Sequence, residues 1–511
     1  MRSLAVVLTS ALAVFAPLPV TAAPTAPAVV HTRDGAVRGS VRDGYRTFEG
    51  IPYAAPPVGA LRWTAPRPPS PWTGVRDARH PAPACAQPDG EVRGGSTAED
   101  CLYLDVTVPD TATVARPQPV VVWLHGGGFT TGAGSSYDAH RMAVRGHVVV
   151  VTVDYRLGAL GFLARPGLAG SGTFGLADQQ AALRYVRAGI AAFGGDPGNV
   201  TLAGQSAGAY SVCAQLASPS AAGLFHRAVI ESGPCSGRPE QPFAPSAYPR
   251  ATAEEAGAEL TADVGCAEVA HPLACLREVS PSQLLAHQGI DQHPAHGTPL
   301  LPRDPAAALA TGDMRRMPVL LGSNHDEGNI WAAGIMRAGT VITPTTWPDV
   351  VGSYLPDPAR TPEVVHAYPV TADSAGPVFG AVIGDSNYAC PTASTARRLA
   401  GRMPVWRYEF SDPDAPRPTT TEPPFPLAAT HTTELPYLFD LGGRPRALTE
   451  PQRRLSDTMT GYWTRFARSG DPNGDGAPRW PRTGVQTLLP DHTGPTRPDT
   501  GHHCDIWSER P

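Results

Sequence analysis

Val200-Thr201-Leu202-Ala203-Gly204-Gln205-Ser206-Ala207-Gly208-Ala209-Tyr210 is the stretch from which the fold is read. Val200 to Ala203 is a short apolar, β-branched run suited to a buried strand. Ala207 to Ala217 is a run of small residues suited to a helix. Between them, Gly204-Gln205-Ser206-Ala207-Gly208 has the G-x-S-x-G pattern of a sharp strand-to-helix turn. Such a turn exposes the serine hydroxyl and points the next backbone N–H at a bound carbonyl. Residues two before and two after the serine pack against each other there, which requires glycine. The pattern is weak by itself in a chain rich in Gly, Ser and Ala. Its surroundings strengthen it, because the upstream Gly194 to Asn199 segment is a dense turn signal.

The flanking sequence extends this reading. Val120 to Leu124 and Val148 to Val153 are continuous apolar runs, as expected of strands buried on both faces. Leu176 to Phe193 has apolar residues at three- and four-residue spacing and predicts a helix, with Gln179 interrupting the stripe. Ala228 to Ile230, Val319 to Leu321 and Val405 to Phe410 predict further strands, and Gln452 to Arg468 a late helix. Alternating strands and helices imply an α/β fold with a large, mostly parallel central sheet flanked by helices. Arg238 to Arg250 and Ser411 to Pro426, rich in proline and polar residues, are expected to be surface loops.

Composition excludes several functions. The 511 residues carry a net charge of −5, with 41 basic and 46 acidic side chains. No basic stripe or acidic tail supports nucleic-acid or membrane-surface binding. Every basic residue is arginine, which excludes P-loop ATPases, Schiff-base chemistry and Ser-x-x-Lys hydrolases. Arg2, the apolar Leu4 to Phe15 run and Val20-Thr21-Ala22 predict a signal peptide over residues 1–22, cleaved near Ala22, and secretion of a single domain over 23–511. Pro17 and Pro19 break the apolar run, and no later run is long enough to span a bilayer. The eight cysteines suit an exported chain with disulfides, whose connectivity spacing alone does not fix. Cys85 and Cys101 flank one loop; Cys266 and Cys275 flank another. No Cys or His spacing suggests a metal, and no cofactor is expected.

His125-Gly126-Gly127-Gly128-Phe129 directly follows the Val120–Leu124 strand. Successive glycine N–H groups can converge on the oxyanion that forms in acyl transfer, each contributing about 3–4 kcal/mol. A serine nucleophile also needs a base and an acid that orients it. Sixteen histidines compete for the first role, and Asp326 and Glu327 compete for the second.

Ordered motifs resolve these choices. Gly50-Ile51-Pro52-Tyr53-Ala54, Glu99-Asp100-Cys101-Leu102-Tyr103-Leu104, the HGGGF loop, Tyr155-Arg156-Leu157-Gly158, Phe193-Gly194-Gly195-Asp196-Pro197, the serine turn and Gly470-Asp471-Pro472-Asn473 span nearly the whole chain. Together they resemble the type-B carboxylesterase family, the cholinesterase-like branch of the α/β-hydrolase fold. The resemblance implies a catalytic Ser206, Glu327 in Asn324-His325-Asp326-Glu327-Gly328, and His431 in His431-Thr432-Thr433-Glu434-Leu435-Pro436-Tyr437. It assigns oxyanion donors to Gly127, Gly128 and Ala207. It pairs Cys85 with Cys101, Cys266 with Cys275 and Cys390 with Cys504. Cys213 and Cys235 remain, either as a fourth pair or as free thiols.

Departures from the family pattern narrow the substrate. Cholinesterases carry a tryptophan in the loop before the E-D-C-L motif, where it attracts quaternary ammonium by cation–π contact. Here Ala86 to Ala98 has no aromatic residue. Gln205 stands where an acid usually precedes the serine. A small neutral carboxylic ester is therefore the expected substrate. Fungal lipases of the family carry a long lid in this disulfide loop; here the loop is short, so little interfacial activation is expected, with a lipase acting on long-chain esters as an alternative. The complete set of catalytic residues argues against a non-catalytic, neuroligin-like adhesion protein. Asp154 replaces a usual asparagine, with no effect assigned from sequence. Asp471 to Gly476 begins like a calcium loop, but Arg482 stands where a bidentate glutamate is required, so the segment is expected to be a turn.

Overall fold

The computed structural model describes residues 28–237, 241–244, 246–289, 292–371, 373–497 and 501–507. The expected signal peptide and its cleavage site near Ala22 lie outside the described residues. Among the described residues, eleven strands form the central sheet. Seven neighbours are parallel, in the order Val485–Leu488, Val405–Phe410, Val319–Asn324, Arg227–Glu231, Gly195–Gln205, Gln118–Leu124 and Val149–Val153. Antiparallel strands complete both edges: Tyr103–Pro109, Tyr45–Pro52 and Ser40–Arg42 on one, Gly494–Thr496 on the other. This is the expected mostly parallel α/β-hydrolase sheet.

The valine run at Gln118–Leu124 shows why the centre of the sheet reads as continuously apolar. Val120, Val122 and Leu124 enter one core, with the helix Phe174–Gly189. Val121 and Trp123 enter the opposite core, against the helix Glu450–Ser469. Period-two alternation thus sends every side chain into apolar packing. The helix Glu450–Ser469 starts at a capping box, in which Thr449 N donates to Gln452 Oε1 at 2.9 Å. It ends at Gly470, whose φ of 80° is left-handed.

Differences from the sequence reading are local. The turn expected at Gly194 to Asn199 is partly drawn into the strand Gly195–Gln205, with a register irregularity between Gly195 and Val200. The helix expected to reach Phe193 ends at Gly189, and a short 3₁₀ turn, Ile190–Phe193, completes it. Gln179 interrupts the apolar stripe because it is buried in an amide network: its Nε2 donates to Ser211 Oγ at 2.8 Å and its Oε1 accepts from Gln215 Nε2 at 3.0 Å. That network joins the helix to the one following Ser206.

The three expected cysteine pairs are bonded, and Cys213 and Cys235, left open by the sequence, form a fourth pair. Cys390–Cys504 brings His502 to the end of the sheet. There His502 Nδ1 donates to Asp385 Oδ1 at 2.5 Å and Nε2 to Glu409 Oε2 at 2.8 Å. Burial alone would lower the imidazole pKa. The hydrogen bonds and charges of the two carboxylates outweigh it and hold the pKa at about 10. His325 lies close enough that His325, Glu409 and His502 place ligand-type atoms within 4.8 Å of one another. Both His502 nitrogens already face carboxylates, so the cluster is an ion-paired clasp. Because the folded pKa is raised, the clasp stabilises fully below about pH 6.5 and is lost as pH rises through about 10. Its contribution is on the order of 3–5 kcal/mol. The melting temperature should therefore fall across this alkaline window, and His502→Gln should start lower and flatten the slope. Parallel pH profiles for the two proteins would refute the assignment.

Candidate active site

Three parallel strands carry the site at their carboxyl ends, where open α/β sheets bind ligands. Ser206 follows Gly195–Gln205, the glycine loop follows Gln118–Leu124, and Glu327 follows Val319–Asn324. Ser206 adopts φ 55° and ψ −125°, a left-handed conformation that a serine does not favour. The fold holds it there: Ser206 N donates to Glu231 O and Tyr210 N to Ser206 O, both at 2.9 Å. A Cβ on Gly204 would meet Gly208 C at 2.5 Å, and one on Gly208 would meet Leu124 O at 2.0 Å. The glycine requirement read from the sequence is therefore steric.

Gly127 and Gly128 have φ of 98° and 60°. Their N–H groups find no protein acceptor among the described residues and remain available to a ligand. Ala207 opens the helix Ala207–Ala217, so its N–H belongs to the unpaired first turn. His125 anchors the loop instead of acting in it. Burial pushes its pKa down to about 4; Tyr155 stacks on its ring and donates to its carbonyl at 2.8 Å. Asp154 now has a role: its Oδ1 accepts from Gly134 N at 2.7 Å and fixes the far end of the same loop. Burial, reinforced by the Asp105 charge, holds the Asp154 carboxyl well above the carboxylate range.

Glu327 Oε2 accepts from His431 Nδ1 at 2.6 Å, and Oε1 accepts from Asn324 N at 2.8 Å. Glu327 is fully buried. Asp326 turns away, accepting from Ala429 N at 3.2 Å and lying beside His325. This geometry separates the two acids that sequence reasoning alone left open. Asn324 Nδ2 also donates to Glu434 Oε2 at 2.5 Å. Burial, with the neighbouring Glu327 charge, pushes the Glu434 carboxyl up to about 7.

Ser206, His431, Gly127 and Gly128 share one cleft of about 920 Å³. Gln205 Nε2 lies 3.3 Å from His431 Nε2, the ring nitrogen that a serine would use. The structure records no direct Ser206–His431 hydrogen bond. A proton transfer between Ser206 and His431 would require the Gln205 contact to yield to the serine hydroxyl, a tightening that substrate binding commonly produces.

The cleft walls were the part missed from sequence. Trp331 and Tyr388 stack at 5.3 Å and flank His431 at 4.8 and 5.1 Å; Phe243 stacks on Trp331 at 5.4 Å. Phe243 and Tyr248 come from the segment expected to be a surface loop at 238–250, and Pro416, Arg417 and Pro418 from the one at 411–426. Among the described residues their backbone is irregular apart from the short strand Tyr248–Pro249 and the helix start at Arg250, but composition did not signal that it borders the site. Glu91, from the disulfide loop, also lines the cleft. The calcium-like start at Asp471 is a turn, with Asp471 Oδ1 accepting from Asn473 N at 2.9 Å.

The comparisons with known proteins agree with this geometry. Residues 26–496 match the model of the carboxylesterase family. The para-nitrobenzyl esterase of Bacillus subtilis is 34% identical over 473 residues, covering 89% of this chain and 92% of that one. The acylcarnitine hydrolase of Mus musculus is 34% identical over 493 residues, covering 90% and 86%. The cocaine esterase of Homo sapiens is 33% identical over 500 residues, covering 88% and 85%. A thermophilic PNB esterase structure superposes with a TM-score of 0.75 at 32% identity, covering 90% of this chain and 96% of the other. With a family match across nearly its whole length and esterases among its relatives, this chain belongs to the carboxylesterase family and is a carboxylic ester hydrolase.

Proposed function

We propose that the protein is a secreted serine carboxylesterase that hydrolyses small neutral carboxylic esters through an acyl-enzyme on Ser206. The observation that carries this reading is the 2.6 Å Glu327–His431 pair opening into the same cleft as Ser206 and the free glycine N–H groups. His431 Nε2 takes the Ser206 proton as Oγ attacks the ester carbonyl. The N–H groups of Gly127, Gly128 and Ala207 receive the oxyanion. His431 then returns the proton to the leaving alcohol, and water repeats the cycle to release the acid. Glu327 orients the imidazole and stabilises its charged form.

The mostly apolar cleft lining and Gln205, an amide beside the nucleophile, support a neutral substrate. Four disulfides suit passage through an oxidising compartment and support secretion. No helix among the described residues is long and apolar enough to cross a membrane.

A fluorophosphonate probe tests the chemistry. One equivalent should attach at Ser206, identified by peptide mass, and should abolish hydrolysis of p-nitrophenyl esters. Folded protein that resists labelling, or labels elsewhere, would refute the reading. A panel of p-nitrophenyl acyl chains would then define the acyl pocket.

A further inference from the structure

We propose that His325, Glu409 and His502 form a binding site for a zinc-type divalent cation, which fastens the C-terminal segment to the turn that carries Glu327. The site is independent of the ester chemistry and holds whether or not that reading does. One ligand-type atom from each of the three side chains lies within 4.8 Å of the other two. Ligands of a tetrahedral Zn²⁺ sit about 3.3–3.6 Å apart, so closing the set takes a shift of roughly 1–1.5 Å. His325, whose side chain is 40% exposed, has room to make it. The ligands come from three separate segments, which is why no His or Cys spacing announces them.

Each histidine is oriented as a metal ligand is. His502 Nδ1 donates to Asp385 Oδ1 at 2.5 Å, which aims Nε2 at Glu409 Oε2, 2.8 Å away. His325 Nδ1 lies 3.2 Å from Asp326 Oδ1, which leaves Nε2 as its ligand atom. A carboxylate behind one ring nitrogen fixes the tautomer and makes the other nitrogen a better donor to a metal. Asp385 is itself held, because its Oδ2 accepts from Tyr368 OH at 2.6 Å and His503 N at 3.1 Å. Glu409 Oε1 accepts from Ser411 Oγ at 3.3 Å, which leaves Oε2 for the cation. Gly501 lets the chain pass close to His325: its φ is 89°, and a Cβ there would lie 3.3 Å from His325 Nε2. Cys390–Cys504 fixes the chain two residues beyond His502, and His325 N donates to Phe410 O at 2.8 Å beside Glu409. The ligands are thus supported from behind, as a metal site requires.

A proton and a cation compete for one place here. In the ion-paired clasp the His502 Nε2 proton lies between that nitrogen and Glu409. A bound cation takes that position and joins the same two groups to His325. The His502 and Asp385 side chains are buried, Glu409 is 14% exposed and His325 is the most open of the four. The cation therefore enters from the His325 side, where water completes its shell. Two imidazoles and one carboxylate suit Zn²⁺, whereas Mg²⁺ and Ca²⁺ prefer oxygen throughout.

The test uses the untagged full chain, stripped with a chelator and titrated with ZnCl₂. Wild type should take up one equivalent of Zn²⁺, and its melting temperature should rise with Zn²⁺ but not with the same concentration of Mg²⁺. His325→Gln is the diagnostic variant, because the Asp385–His502–Glu409 clasp keeps all its members. It should start near the wild-type melting temperature, bind Zn²⁺ at least about tenfold more weakly and lose the Zn²⁺-dependent rise. A second measurement needs no variant: Zn²⁺ should protect His325 from diethylpyrocarbonate, as read by peptide mass. Zn²⁺ uptake of wild-type strength in His325→Gln would place the ion on other histidines and overturn the site. Equal stabilisation by Mg²⁺, absence of one-equivalent Zn²⁺ binding in wild type, or unchanged His325 labelling would each do the same.

Discussion

Ser206→Ala is expected to lower kcat for p-nitrophenyl esters at least about 1000-fold while leaving the melting temperature essentially unchanged. A loss of that size corresponds to about 4 kcal/mol of transition-state stabilisation. The fold has little reason to respond, because the Ser206 hydroxyl makes no hydrogen bond that holds the turn; the backbone bonds to Glu231 and Tyr210 do. The contrast with the neighbouring glycines makes the test specific. A Cβ at Gly208 would lie 2.0 Å from Leu124 O, so Gly208→Ala should lose activity by losing the fold. Ser206→Ala should lose activity with circular dichroism and thermal unfolding preserved. A folded Ser206→Ala protein that keeps a tenth or more of wild-type turnover would remove Ser206 from the chemistry.

The parts of this molecule legible in its sequence are those fixed by short-range constraint. The valine runs could only be strands buried on both faces, and the structure sends their alternate residues into two separate cores. The glycines around Ser206 could be read because a sterically impossible Cβ leaves one residue type for the position. Glu327 and His431 lie 104 positions apart; residue chemistry alone could not choose them from their neighbours, and only the family motifs did so. The cleft walls escaped both routes. Phe243, Trp331 and Tyr388 come from separate segments and meet only through tertiary packing. Glu91 belongs to no motif and lines the cleft only in the folded chain. Its place in the cleft depends on Gln87 clasping Gly132, a pairing across 45 residues that no periodicity announces.

Glu327→Gln is expected to lower kcat about 1000- to 10,000-fold, more than Glu327→Asp does, although glutamine is closer in shape. The reason lies in the second oxygen of Glu327. Oε1 accepts from Asn324 N at 2.8 Å, and that backbone donor still needs an acceptor after the substitution. The glutamine carbonyl is therefore held toward Asn324, which turns the amide NH₂ toward His431 Nδ1. An N–H facing Nδ1 obliges that nitrogen to accept, so the ring proton moves to Nε2. The Nε2 lone pair that must take the Ser206 proton is then gone. Aspartate is a methylene shorter than glutamate and strains the 2.6 Å contact, but it remains an acceptor on both oxygens and keeps the productive tautomer. Asp326 cannot substitute for the lost acid, because its carboxylate is engaged with Ala429 N and His325 on the other side of the turn. Steady-state kinetics of the two variants on one p-nitrophenyl ester decides the matter: a glutamine variant as active as the aspartate one would show that charge and tautomer at Glu327 do not govern the base.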